Sequence, residues 1–136
     1  MNLILKGVVG VTLLHLSFNG LAAPVSDPEL SQNHSLLSQQ LGLTPGQIEK
    51  LEKLKSAAEK SLGSIDISNV SDEEIAKSFE TGKWDEEAIK QELGSIGQVQ
   101  AQARYYRLLY LFRVSQVLTS EQKEKFDVLL KQHELY

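Results

Sequence analysis

An all-α fold follows from three features of the sequence. Apolar residues recur at three- and four-residue steps in every segment long enough to judge. The segments open on helix-capping residues, at Asp27, Thr44, Ser71, Asp85 and Thr119, and close on glycine at 42, 63 and 82. One short stretch alternates like a strand (Ile65, Ile67, Val70), but it has nothing to pair with.

The elements can be taken in order. Residues 1–22 have the layout of a secretory signal peptide: Lys6 supplies a positive charge, Gly7 to Phe18 is apolar, and the segment ends in small residues at Ala22. The apolar run falls short of the roughly 20 residues that span a bilayer, so the expectation is export to the periplasm with no stable membrane insertion after cleavage. No cysteine is present, so stability in an oxidising compartment must come from packing. Loss of Lys6 from 14 basic residues leaves 13 against 18 acidic ones, or −5, which argues against nucleic-acid binding. Residues 23–136 then form one domain.

Residues 23–26 read as an extended lead. Asp27-Pro28 opens a helix carrying Leu30, Leu36, Leu37 and Leu41. Thr44-Pro45-Gly46-Gln47 is a capping box, in which Gln47 can reach back to the Thr44 amide. The helix after it presents Ile48, Leu51, Leu54, Ala58 and Leu62. Residues 64–70 read as a loop. Ser71 to Glu74 is a further capping box, opening a short helix with Ile75, Ala76 and Phe79. The lone tryptophan, Trp84, is expected to be a core anchor stapled onto Ala88 or Ile89.

Asp85 to Leu118 reads as one helix of about 50 Å. Ile89, Leu93, Ile96, Ala103, Tyr110, Val114 and Val117 make one apolar stripe along it. Ala101, Tyr105, Leu108, Leu109 and Phe112 fall on the opposite side of its C-terminal half. A helix apolar on two faces has to be covered on both, which one small chain cannot do. Between Leu93 and Ser120 there is no acidic residue, while Arg104, Arg107 and Arg113 lie among the aromatics. Such a surface suits either a flexible client or a dimer interface whose arginines pair with acids such as Glu52 or Glu59. Thr119 caps the last helix, with Gln122 at its third position and Phe126, Leu129 and Leu130 on its apolar face.

Leu43-Thr44-Pro45-Gly46-Gln47 and Leu118-Thr119-Ser120-Glu121-Gln122 are two copies of L-T-x-x-Q, one near each end of the helical region. This layout resembles the CpxP/Spy family of periplasmic chaperone and stress-adaptor proteins, over roughly residues 36–132. The resemblance implies bent antiparallel helical hairpins of four to five helices that pair as a thin cradle-shaped homodimer. It also implies ATP-independent binding of unfolded clients, or restraint of a sensor kinase through its periplasmic domain. Within it the motif residues Leu43, Thr44, Gln47, Leu118, Thr119 and Gln122 are structural. Arg104, Tyr105, Leu108 and Phe112 are the candidate client-binding residues, and Ala101 and Leu109 the candidate dimer contacts.

Relatives of this family bind or sense metals, yet here the exported chain is acidic, lacks methionine, and has as histidines only His34 and His133, which read as plain surface residues. A metal centre wants three or four preset ligands, so no metal is expected, and no cofactor. Nor does any nucleophile–base pair or phosphate loop suggest an enzyme. N-terminal sequencing of the protein from its native host should return Ala23 as the first residue; an intact Met1 on a cytosolic protein would refute the export reading.

Overall fold

The computed structural model describes residues 27–136; the signal-peptide reading and the extended lead lie outside the described residues. Five helices follow one another: α1 (Pro28–Gln40), α2 (Pro45–Gly63), α3 (Glu73–Thr81), α4 (Glu86–Ser115) and α5 (Ser120–Gln132), and no strand occurs among the described residues. The sequence predicts four of these starts by their caps. Asp27 Oδ1 accepts from Leu30 N at 2.7 Å, and Asp85 accepts from Ala88 N at 3.1 Å. Thr44 and Thr119 each close a full capping box with the glutamine three residues on. Gly42 and Gly82 turn the chain with φ of +60° and +66°, a region open to glycine and costly for other residues.

The helices pack as an antiparallel arrangement around α4. Gln47, at the start of α2, meets Val117, just past the end of α4, so the two helices run in opposite directions. The core joins Leu30, Leu37 and Leu41 of α1, Leu51, Ala58 and Leu62 of α2, Ala103, Tyr110, Leu111 and Val114 of α4, and Phe126 of α5. It engages α4 from Ala103 onward. Ile89 is also buried but lies apart from this cluster, on the part of α4 that carries α3.

Four expectations change here. α4 ends at Ser115, not Leu118, because a tightened turn takes over: Gln116 N bonds to Arg113 O at 3.1 Å and Val117 N to Val114 O at 3.0 Å. Leu93 is 53% exposed, since the core has ended before it is reached, while Leu111, not counted on the stripe, is buried. Trp84 is 66% exposed and makes no core anchor; Ile89, its expected partner, is buried on the flank of α4 that receives α3. The capping box at Ser71 does not form. Asp72 takes the cap position without a side-chain bond, Glu74 pairs with Lys77, and a carboxylate from α4, Glu92, receives the free amides instead.

The two L-T-x-x-Q corners meet. Gln47 Nε2 donates to Gln122 Oε1 at 2.7 Å, and Gln122 Nε2 donates to Gln47 Oε1 at 3.0 Å. Each amide also reaches the opposite corner's backbone: Gln47 to Val117 O at 2.9 Å, Gln122 to Gly42 O at 3.3 Å. Each side-chain oxygen accepts from the amide of its own threonine, at 3.0 Å in both corners. Leu118 is buried under this clasp and Leu43 packs against the core beside it.

Loss of either glutamine leaves its partner half-paired, at a cost of about 1–3 kcal/mol. Gln47→Ala and Gln122→Ala should each destabilise by that amount in urea melts. Because the two act on one contact, the double variant should lose less than the sum by about 1 kcal/mol; strict additivity would refute the coupling.

Candidate functional site

α4 has two unlike flanks. The inner one is held by charged and polar groups as well as by apolar packing. Arg107 Nε donates to Asp27 Oδ1 at 3.1 Å and its Nη2 to Oδ2 at 2.8 Å, while Nη1 lies 2.9 Å from Glu29 Oε2. This bidentate fork fits a carboxylate plane, and it ties the N-cap of α1 to α4. Burial pushes the Asp27 carboxyl upward, but the bonds from Arg107 and Leu30 and the Arg107 charge outweigh it, so the group sits below the usual carboxylate value. Glu52 and Glu59, the acids expected to serve arginines, serve His34 and Lys55 instead.

His34 is not a plain surface residue. It is 7% exposed, with Nδ1 2.8 Å from the Tyr110 hydroxyl and Nε2 2.9 Å from Glu52 Oε1. The ring joins α1, α2 and α4, and both of its nitrogens are engaged. Burial and the nearby Glu52 charge push the Tyr110 phenol well above its ordinary value, which keeps it neutral and able to donate. His133 is exposed at the end of α5. Among the described residues no group of three or more His, Cys, Asp or Glu side chains could hold a metal ion.

The residues named from the sequence as candidates for client binding lie together on the outer flank of α4. On a helix, Ala101, Tyr105, Leu108 and Phe112 follow one another at steps of four, three and four and share a face, with Arg104 four residues before Leu108 on the same side. Tyr105 is 60% exposed, Phe112 61% and Leu108 36%, and Ala101 and Arg104 are exposed beside them. Leu109 sits at the margin, half-buried. The aromatic cluster read from the sequence divides in two: Tyr110 belongs to the core, Tyr106 is half-buried with its ring edge-on to Tyr105 at 5.4 Å, and Tyr105 and Phe112 remain outside. Of the three arginines, Arg107 is an internal tie and Arg104 and Arg113 stay exposed. No helix among the described residues is long and apolar enough to cross a membrane.

Three working side chains were not legible beforehand. Asp27 carried a visible signal as a helix cap but none for its second partner, 80 positions away. Glu92 and His34 carried no local signal at all, because each is defined by what folds onto it.

The fold and flanks define an all-helical protein whose two L-T-x-x-Q corners are clasped together and whose longest helix keeps one apolar-basic side uncovered. The chain belongs to the LTXXQ motif family, whose model matches residues 30–130. Among solved structures, it is similar to the Salmonella Typhimurium VirG-like (STV) protein, with 34% identity, a TM-score of 0.70, and coverage of 81% of this chain and 99% of that one. A second structure of that protein matches at 33% identity and TM-score 0.64, covering 82% of this chain and 96% of that one. No curated protein sequence matches the chain.

The sign of the Asp27 shift gives a pH prediction. Its pKa in the folded state is depressed, so the stabilisation is fully present above the unfolded value of about 4 and is lost as pH falls through the lower folded value. Arg107→Met would strand a buried carboxylate, and at pH 7 it should cost about 3 kcal/mol in urea unfolding. The gap to the parent should narrow below about pH 4. A gap independent of pH would show that the ion pair is not its source.

Proposed function

We propose that this protein is a periplasmic, ATP-independent chaperone or stress adaptor rather than an enzyme, and that it holds unfolded clients on the outer flank of α4. The observation that carries this reading is the run of exposed Tyr105, Leu108 and Phe112 beside Arg104, on a helix with no acidic residue between Leu93 and Ser120. Large apolar side chains left in water are normally either functional or covered by a partner. Here they lie on a helix whose other side is held by an ion-pair fork and a histidine bridge, so the surface is presented on a rigid support. Membership of the LTXXQ motif family and likeness to the Salmonella Typhimurium protein support a role in envelope stress. The signal-peptide reading of residues 1–22 supports the periplasm as the place of work.

The apolar groups supply holding energy, about 1.5–3 kcal/mol for each large side chain fully buried. Arg104 acts differently. Charge attraction between exposed groups is screened over about 8 Å at physiological salt, so it speeds encounter more than it strengthens the complex. The same flank, with Ala101 and Leu109, supports homodimerisation, and a dedicated sensor-kinase domain could use it as a partner surface in the same way.

Aggregation of an unrelated unfolded client, followed by light scattering, tests the reading. Phe112→Ser should weaken holding about tenfold or more at any salt. Arg104→Glu should slow capture and make it less sensitive to salt. Oligomeric state is measured alongside, with Leu109→Asp as the variant that shifts a dimer towards monomer. If both client variants stay folded, keep the parent's oligomeric state and suppress aggregation as well as the parent, the client surface lies elsewhere.

A further inference from the structure

α3 is attached to the molecule differently from the other helices. Its nine residues pack on α4, and none of them joins the hydrophobic core. An isolated helix of nine residues is well below the roughly 12–15 needed for marginal stability, so α3 is helical because it is docked. Its apolar attachment is slight: Ile75 is half-buried, Ser78 is buried, and Phe79, its largest side chain, is 80% exposed. A polar cleft lined by Glu74, Lys77, Asp85, Gln91 and Ser95 runs between α3 and α4.

The strongest tie is polar. Glu92 of α4 is 9% exposed, with Oε1 accepting from Glu74 N at 3.0 Å and Oε2 from Ile75 N at 3.1 Å. These are orphan amides in the first turn of α3, whose cap residue Asp72 makes no side-chain bond. The carboxylate also sits at the positive end of the α3 dipole. Burial raises its pKa, but hydrogen bonding from the Glu74 and Ile75 amides, with smaller contributions from Ser71 and the Glu73 amide, reverses this, so docking favours the charged form. Neither neighbour continues α3 as a helix: residues 64–72 are outside any helix on one side, and Gly82 ends it with a φ of +66° on the other.

We propose that α3 is a flap that swings off α4 as a unit while the α1–α2–α4–α5 core stays folded, and that the Glu92 carboxylate is its latch. Opening would strip cover from the flank of α4 that holds Ile89 and Ile96, next to the already exposed Leu93. The flap thus controls how much apolar surface the N-terminal half of α4 shows. This inference stands independently of the client reading.

Hydrogen exchange followed by mass spectrometry on the whole protein at neutral pH is the test. In the parent, the amides of 73–81 should exchange faster than those of α2 and of the C-terminal half of α4, as a separate unit. Glu92→Gln keeps the shape but loses the charge and one acceptor, and should speed α3 exchange about tenfold or more with the core unchanged. Ile75→Ser, which leaves Glu92 intact, should act in the same place. An apolar dye should bind both variants more than the parent. Exchange of α3 at the core's rate in the parent would overturn the flap. Unchanged α3 exchange in Glu92→Gln would overturn the latch, and equal loss of protection throughout the chain would overturn both.

Discussion

Two glutamine amides facing each other hold the geometry of this protein. Gln47 and Gln122 belong to corners 75 residues apart, and each fulfils three obligations at once: it satisfies its own helix start, pairs with its counterpart, and caps a carbonyl of the other corner. The corners join α1 to α2 and α4 to α5, so the clasp fixes where both helix pairs turn. With the start of α2 joined to the end of α4, the two helices run antiparallel, and Leu51 and Ala58 share one core with Ala103, Tyr110 and Val114. A buried primary amide is costly unless paired, and the buried Gln122 amide bonds through both its oxygen and its nitrogen.

Polar ties of the same kind recur along α4 and reach α1, α2 and α3. Arg107 takes Asp27 and with it the start of α1; Tyr110 takes His34, and through it Glu52 of α2; Glu92 takes the first turn of α3. No buried side-chain nitrogen or oxygen among the described residues is left without a partner. Apolar packing alone would let helices of this size slide by a turn at modest cost, since Leu can replace Leu in a groove. A bidentate fork admits one position only, because displacement strands the buried Asp27 carboxylate, and an imidazole bridge resists sliding because displacement leaves buried ring nitrogens unpaired. The ties therefore define one arrangement, while the apolar core supplies most of the driving force.

This division has a consequence for the surface. Because α4 is secured from one side, its other side is free to carry Tyr105, Leu108 and Phe112 in water without loss of the fold. The N-terminal part of α4 lies beyond the core and has α3 as its cover, so the molecule grades from a well-packed, clasped end to a lightly covered one.

The sequence by itself determined the helices and four of their five starts, since those caps and the turn glycines act within four residues and depend on no other part of the chain. It also determined that α4 has a second apolar side, because the spacing of Ala101, Tyr105, Leu108 and Phe112 is a property of one helix. Tertiary structure decided the rest. Which of three similar arginines would turn inward depended on where Asp27 came to lie, 80 positions away, and Arg107 alone met it. Trp84 had the composition of a core anchor, but the end of the core before Ile89 left it in water. His34 became an internal bridge because Glu52 and Tyr110 closed on both its nitrogens, and the third helix found its cap on Glu92 instead of Ser71. Local signals are strong where a group can be satisfied by its neighbours in the chain; a long side chain with charge or several bonding sites goes to whichever partner the fold delivers, and that cannot be read from its neighbours.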